Sequence, residues 1–201
     1  MKSIKKIFRL IFIISIVLFI WNCEDNYNYF NYEKLEADDK ALLERLYNNE
    51  NGLFDSIVGL AVYKEVDVKD TVDHKESSGL RMIRTYRSPN NDSIKVGHYA
   101  GIRFTFWSLF EDEDGVLKID GPIVTNIYED DCDSFMVGNN TSSAYVSTGI
   151  DEAVQHMFLE DKCTLILPSA IGARSIFINN SVYLQYSTII ADIEVTYWVD
   201  R

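Results

Sequence analysis

The chain has 201 residues, with 19 basic and 31 acidic side chains and a net charge of −12. Nucleic acid is therefore not an expected partner, because neutralising its phosphates requires basic patches that release counterions. Hydrophobic residues make up 47% of the chain, which excludes general disorder and suffices for one domain with a full core and an extension.

The N-terminal residues have the pattern of an export signal followed by an anchoring site. Four basic residues, the last of them Arg9, precede an apolar run from Leu10 to Trp21. This run is shorter than the roughly 20 residues that a membrane-spanning helix needs. Cys23 follows and resembles the acylated cysteine of a bacterial lipoprotein. We therefore expect a lipoprotein signal peptide over residues 1–22; cleavage elsewhere and an uncleaved signal anchor are the alternatives.

Processing at Cys23 would change both the charge and the location of the protein. The mature chain would keep 15 basic and 31 acidic residues, a net charge of −16. Acyl chains on Cys23 would hold it at a membrane without a spanning helix. The pair Glu24 and Asp25 is similar to the acidic export signals of surface lipoproteins in some Gram-negative groups. We expect a lipid-anchored protein of the cell envelope, on the outer membrane and facing either its periplasmic or its outer side.

Residues 23–78 are predicted to form a tether and a helical extension. Asn26 to Tyr32 shows no periodicity, whereas the following segment predicts an amphipathic helix of about 15 residues that ends at Asn48 to Gly52. The apolar residues of this helix are Leu35, Leu42, Leu43, Leu46 and Tyr47. The helix could bind an envelope partner, or pair two copies through three of its leucines, although it is too short to hold a dimer alone. The oligomeric state stays open.

From residue 79 onward the pattern changes to strands. Ile94 to Phe110 is rich in aromatic and β-branched residues, and Asp114-Gly115 predicts the turn that returns the chain through Val116 to Ile119. Other predicted strands cover residues 80–85, 135–137, 144–146, 164–167 and 182–198.

One short helix of about nine residues is predicted between these strands. Ile150, Ala153, Val154 and Met157 fall on one face of it, and Asp151 lies in its first turn, where the helix dipole favours negative charge. A single helix against an antiparallel sheet is an α+β arrangement.

The order of these elements resembles a known family. A Gly-Ile-Asp-Glu-Ala-Val-Gln-His-Met helix precedes Cys-Thr-Leu-Ile-Leu-Pro-Ser and then Ala-Asp-Ile-Glu-Val, as in the C-terminal half of FKBP-type peptidyl-prolyl isomerases. Upstream, the strand that contains Val-Gly-His-Tyr-Ala-Gly-Ile-Arg-Phe-Thr and its Asp-Gly hairpin are similar to the first half of that family. The resemblance implies an FKBP-like bent antiparallel sheet wrapped against one short helix over residues 79–201. It also implies a peptidyl-prolyl isomerase or related folding factor that acts on polypeptide segments containing Xaa-Pro.

Catalysis in this family needs a pocket of the right shape that excludes water, and it needs no cofactor. An apolar pocket of this kind favours the twisted form of the prolyl amide. By resemblance, Phe104 stands at the family's first pocket Tyr, while Ile119 and Asp120 stand at a Phe-Asp pair. Val146 and Ser147 match a Val-Ile pair, and the Ser147 N–H would hold the substrate carbonyl.

Three aromatic positions of the family pocket are lost. Ile150 replaces the Trp of the pocket floor, and Ala173 and Ala191 replace a Tyr and a Phe. Each lost ring removes on the order of 150–250 Å² of contact surface, so we expect weak catalysis at most. The alternative is a non-catalytic envelope lipoprotein in which these residues form an ordinary core and the FKBP-like face or the N-terminal helix binds a protein.

No metal site or nucleophile is indicated elsewhere. The acidic cluster from Glu129 to Asp133 lacks the ligand spacing and the Gly of a calcium loop, and we expect a solvated loop there. Cys132 and Cys163 could form a disulfide in an oxidising compartment, but a buried free thiol is equally compatible with the apolar surroundings of Cys163.

Overall fold

The computed structural model describes residues 31–60, 73–75, 78–128, 132–139, 145–172 and 185–200. From Glu33 onward the chain belongs to one compact unit. The predicted signal segment, Cys23, Ala173 and most of the predicted tether lie outside the described residues. None of the described helices is long and apolar enough to cross a membrane.

Three helices and seven strands make up the described part of the chain. The helices are α1 Tyr32–Tyr47, α2 Leu53–Leu60 and α3 Thr148–Val154, with a 3-10 turn, Glu50–Gly52, between the first two. The strands are β1 Asp73–Lys75, β2 Arg81–Tyr86, β3 Tyr99–Glu111, β4 Leu117–Thr125, β5 Asp133–Met136, β6 Lys162–Leu167 and β7 Ile189–Val199. All strand pairs are antiparallel, in the order β1-β2-β6-β7-β3-β4, and β5 also pairs with β3. The predicted α+β arrangement is confirmed at this level.

The β3–β4 hairpin forms where the sequence predicted it. Gly115 takes a φ of 77°, a left-handed value that favours glycine. The Asp112 carboxylate accepts hydrogen bonds from the backbone N–H groups of Asp114 and Val116, at 3.1 and 2.8 Å, and pairs with Lys118. Local turn chemistry therefore fixes this end of the sheet.

Two predicted strands differ from the structure. Tyr145 and Val146 are not in a strand; they lead into α3, because Ser147 caps that helix by accepting the Ile150 N–H at 3.2 Å. The last strand begins only at Ile189, since the Thr188 N–H is bonded to a side chain from α1 and not to a neighbouring strand.

The two faces of the sheet carry separate apolar cores, because successive residues of a strand point to opposite sides. On one face, α3 packs against the sheet through a core that includes Phe104, Ile150 and Leu165. We call this side the helix-side face. The opposite face carries a second core around Ile83, Leu109 and Ile166, and we call it the outer face.

The N-terminal helices cover part of the outer face. Leu46 of α1 and Ile57 of α2 are fully buried there, with Leu42 packed beside them. The Arg81 guanidinium of β2 lies 4.7 Å from the ring centroids of both Tyr47 and Phe54, a cation–π contact with each helix. The extension is thus a layer of the fold. Of the leucines Leu35, Leu42 and Leu46, through which two copies could pair, Leu46 is fully buried against the sheet of its own chain; pairing of copies stays a prediction.

Asp39 of α1 joins this layer to the sheet. One carboxylate oxygen accepts hydrogen bonds from the Thr188 N–H at 2.6 Å and the Thr188 hydroxyl at 2.8 Å. The other accepts the Ser169 N–H at 3.2 Å. Asp39, Ser169 and Thr188 are all buried. One helix residue therefore holds the chain just after β6 and just before β7.

We expect Asp39→Ala to destabilise the protein by roughly 2–4 kcal/mol, because it leaves buried N–H groups without an acceptor. The exposed neighbour Asp38→Ala is the matched control and should change stability by less than about 0.5 kcal/mol. Chemical denaturation of both variants measures the difference. Equal stability of the two would contradict the structural role of Asp39.

Candidate functional site

Four of the residues assigned to a prolyl pocket do come together on the helix-side face. Phe104, Val146, Ile150 and Ala191 belong to one apolar core, and none is more than 1% exposed. The Phe104 ring stacks on Phe106, with centroids 4.3 Å apart. These residues are therefore packed against protein and offer no ring surface to a ligand.

Ser147 was also assigned to the prolyl pocket. Its side chain and its backbone make different hydrogen bonds. Its hydroxyl caps α3, as described above, and its carbonyl accepts the Asp151 N–H at 3.0 Å. None of the hydrogen bonds found among the described residues uses the backbone N–H of Ser147. Ser147 is fully buried, so this donor points into the protein.

Ile119 and Asp120 do not join the other predicted pocket residues. Ile119 pairs with Leu109 and packs on the outer core, and Asp120 is exposed. Ile119 faces the outer side because it pairs with Leu109, which belongs to the outer core. The pairing of β3 with β4 shifts between Phe106 and Ser108, where β4 contains two more residues than β3, so β4 residues keep the same alternation of sides before and after the shift.

Further along β4, Val124 lies on the helix-side face. It pairs with Phe106, and together with Ile123 it packs against the helix-side core. A sequence signal for the irregularity exists in the Gly121-Pro122 dipeptide, because proline cannot donate to a strand ladder.

No sequence pattern singled out Asn126, which directly follows β4. It is buried, and its side-chain oxygen accepts the Phe104 N–H at 2.6 Å. Its amide nitrogen donates to the Ile102 carbonyl and to the Asp133 carboxylate, both at 3.1 Å. The Asn126 side chain thus provides hydrogen-bond partners for backbone groups of β3 at the point where β4 ends and β5 begins.

The outer face carries a cleft of about 380 Å³ beside the area covered by α1 and α2. Its floor is made by polar side chains of the sheet, among them Arg103, Lys162, Asp192 and Glu194. An apolar wall is made by Trp107, Pro122, Ile127 and Tyr128. No motif in the sequence pointed to this cleft, because its residues come from five separate segments.

The charged side chains of the cleft floor differ in their ion-pair and hydrogen-bond partners. Lys162 and Glu194 form an ion pair at 3.3 Å. The Asp192 carboxyl accepts a hydrogen bond from the Thr164 hydroxyl at 2.5 Å. Burial raises the pKa of Asp192, and the hydrogen bond from Thr164 offsets part of that effect.

The described residues contain no cluster of three or more His, Cys, Asp or Glu side chains that could hold a metal ion. Most of the acidic cluster at 129–133 lies outside the described residues. Cys132 and Cys163 are both free thiols, and burial raises the pKa of Cys163. The thiol of Cys163 is therefore kept protonated by burial, which does not suit a nucleophile.

The chain is an α+β protein in which one antiparallel sheet lies between a short helix and a helical pair. No family model matches it, and no curated protein matches it. Among solved structures, the three FKBP domains of wheat FKBP73 are similar at a TM-score of 0.45 and 14% sequence identity. The similarity covers 65% of this chain and 51% of that chain, about half of its length. The architecture given above is defined by this chain's own strand order and does not depend on that likeness.

Asp192→Asn should stabilise the protein at neutral pH and change its pH dependence. A carboxyl whose pKa is raised on folding lowers stability above that pKa, and the penalty disappears as pH falls and both states become protonated. The stability difference between Asp192→Asn and the wild type should therefore be near zero at about pH 3 and grow toward pH 7.

Asp112→Asn is the control of opposite sign. The pKa of Asp112 is lowered, first by its bond to Lys118 and then by the Val116 N–H, so its contribution to stability is lost as pH falls. Unfolding curves between pH 3 and pH 7 test both variants. A pH-independent gain for Asp192→Asn would show that its charge is not the cause.

Proposed function

We propose that this protein is a lipid-anchored, non-catalytic binding protein of the cell envelope, built on an FKBP-like domain. The observation that carries the proposal is the burial of Phe104, Val146, Ile150 and Ala191, each at most 1% exposed. A prolyl isomerase must place the proline ring of its substrate against such residues. Here these residues are buried in the protein's own core, which supports a fold without a prolyl site on this face.

Packing on the helix-side face explains why catalysis would be lost. An isomerase lowers its barrier only through contacts made in the twisted state of the amide, and each tenfold gain in rate requires about 1.4 kcal/mol of such contact. Ile150 and Ala191 are smaller than the aromatic residues of the family, and no part of either side chain is exposed. Close packing of Ile150 and Ala191 among the described residues therefore supports the loss of a binding site for the proline ring.

The N-terminal helix is a less suitable binding surface than the sequence suggested. The apolar residues of α1 pack on the outer core, and Asp39 fixes α1 to the chain on either side of residues 170–187. A partner that used the apolar side of α1 would have to displace it from the sheet. This favours a binding role for the faces of the sheet domain itself.

Weak isomerase activity is the second candidate, and the Ser147 backbone favours it. Its N–H makes none of the hydrogen bonds found among the described residues, so the donor that would hold a substrate carbonyl is still available. Ser147 is fully buried and the neighbouring Tyr145 ring is tilted against Phe104 at 5.6 Å, so a substrate would reach this N–H only if the side chains around it moved.

A protease-coupled assay with a proline-containing peptide decides between these two candidates. We expect the full-length protein to leave the isomerisation rate at its uncatalysed value, while an authentic prolyl isomerase in the same buffer accelerates it. Measurable acceleration by the wild type would favour the second candidate.

Two variants at Ser147 then test the mechanism of any such activity. Ser147→Pro removes the N–H, and the φ of −79° at this position is compatible with proline. Ser147→Ala keeps the N–H and removes only the helix cap, which costs about 1 kcal/mol of stability. True isomerase activity would be lost in the first variant and kept in the second; loss in neither would exclude this donor.

The envelope location in this proposal depends on Cys23. We expect Cys23→Ala to release the protein from membranes or to block its maturation, because the apolar run before it is too short to span a bilayer. Cys23→Ser serves as a near-isosteric control that also lacks the thiolate and should behave in the same way. Membrane fractionation with a size measurement is the test, and a variant that stays membrane-bound at mature size would contradict lipidation.

A further inference from the structure

The cleft on the outer face lies on the other side of the sheet from the residues considered for prolyl isomerisation. Its chemistry is therefore independent of the proposed loss of catalysis. The cleft combines three features. These are an arginine without a partner among the described residues, two carboxylates that already have partners, and an apolar wall.

Arg103 is the group in the cleft that lacks a partner. Its Nε is buried, and no hydrogen bond or ion pair to its guanidinium is found among the described residues. Arg84 provides the comparison, because its Nε is also buried without a hydrogen bond. Arg84, however, lies 3.2 Å from the Asp161 carboxylate and donates to the His156 carbonyl at 2.7 Å. Arg103 has neither kind of compensation, although leaving a buried charged donor unpaired is costly.

The neighbouring carboxylates do not fill this role. Glu194 lies directly across from Arg103 in the β3–β7 pairing, but its side chain pairs with Lys162. Asp192 is bonded by the Thr164 hydroxyl. The guanidinium of Arg103 is therefore the free cationic group of the cleft, and an anion from outside the chain would complete it.

The kind of anion follows from charge and space. Two acidic and two basic side chains line the cleft, so a multiply charged phosphate would meet Asp192 and Glu194 without a surplus of positive charge. A single planar carboxylate matches the paired N–H donors of one guanidinium. A volume of about 380 Å³ is at the small end of the range for ligand sites, about 300–1,000 Å³.

The apolar wall of the cleft indicates what the uncharged part of the ligand must be. Trp107 and Pro122 line the cleft, and Ile127 and Tyr128 extend it outward, with 45% and 88% of their surfaces exposed. The exposed ring of Tyr128 offers surface on which an aromatic ligand can stack. We propose that the cleft binds a small organic carboxylate with an aromatic or branched apolar body, its carboxylate on Arg103 and its body against Trp107 and Tyr128.

The test compares an acid with its neutral amide on the full-length protein. Indole-3-acetate and indole-3-acetamide have the same body and differ only at the group that would meet Arg103. Binding is followed by NMR at the indole N–H of Trp107, which is assigned by its loss in Trp107→Phe. We expect the acid to bind at least tenfold more tightly than the amide, and acetate alone to bind more weakly than indole-3-acetate.

Arg103→Gln should abolish the preference for the acid, whereas Arg87→Gln, at an exposed arginine that does not line the cleft, should keep it. Equal binding of acid and amide, no binding of the acid, or an unchanged preference in Arg103→Gln would each overturn the proposal. Acetate binding as tightly as indole-3-acetate would overturn the role of the apolar wall. The comparison of acid and amide uses the wild type, so it decides the matter even if Arg103→Gln does not fold.

Discussion

The buried carboxylate of Asp39 is the interaction on which the arrangement of the layers depends. It accepts the N–H groups of Ser169 and Thr188, and so connects α1 to the end of β6 and the beginning of β7. A buried charge is tolerated only where hydrogen bonds compensate its loss of hydration. Because both acceptor oxygens are used, α1 has one position relative to the central strands, and the rest of the outer face is arranged around it.

The position of α1 determines which parts of the sheet are covered and which part stays open. The helix-side face is filled by the core that contains Phe104 and Ile150, and α1 and α2 cover the outer core. The remaining part of the outer face holds the cleft with Arg103. The two faces of the sheet thus differ: one is filled by apolar packing, and the other has an open cleft lined by polar and aromatic side chains.

The sequence predicted the elements better than it predicted the contacts between them. The β3–β4 hairpin and the face of α3 that carries Ile150 follow from turn residues and apolar periodicity within a few positions. The pairing of Ile119 with Leu109 and of Val124 with Phe106 could not be predicted in this way, because β4 contains two more residues than β3 between these two pairs. Asn126 was missed because its partners lie on β3 and β5, far along the chain.

By itself the sequence determined the acidic balance of the chain, the α+β class and the helix that begins after Ser147, and it predicted export and lipidation. Only the tertiary structure decided that Phe104 and Ile150 are buried, that α1 is a layer of the fold and that Arg103 has no partner among the described residues. The physical reason is that composition, turns and periodicity act locally. Burial and the pairing of charges depend on which distant segments the sheet register brings together.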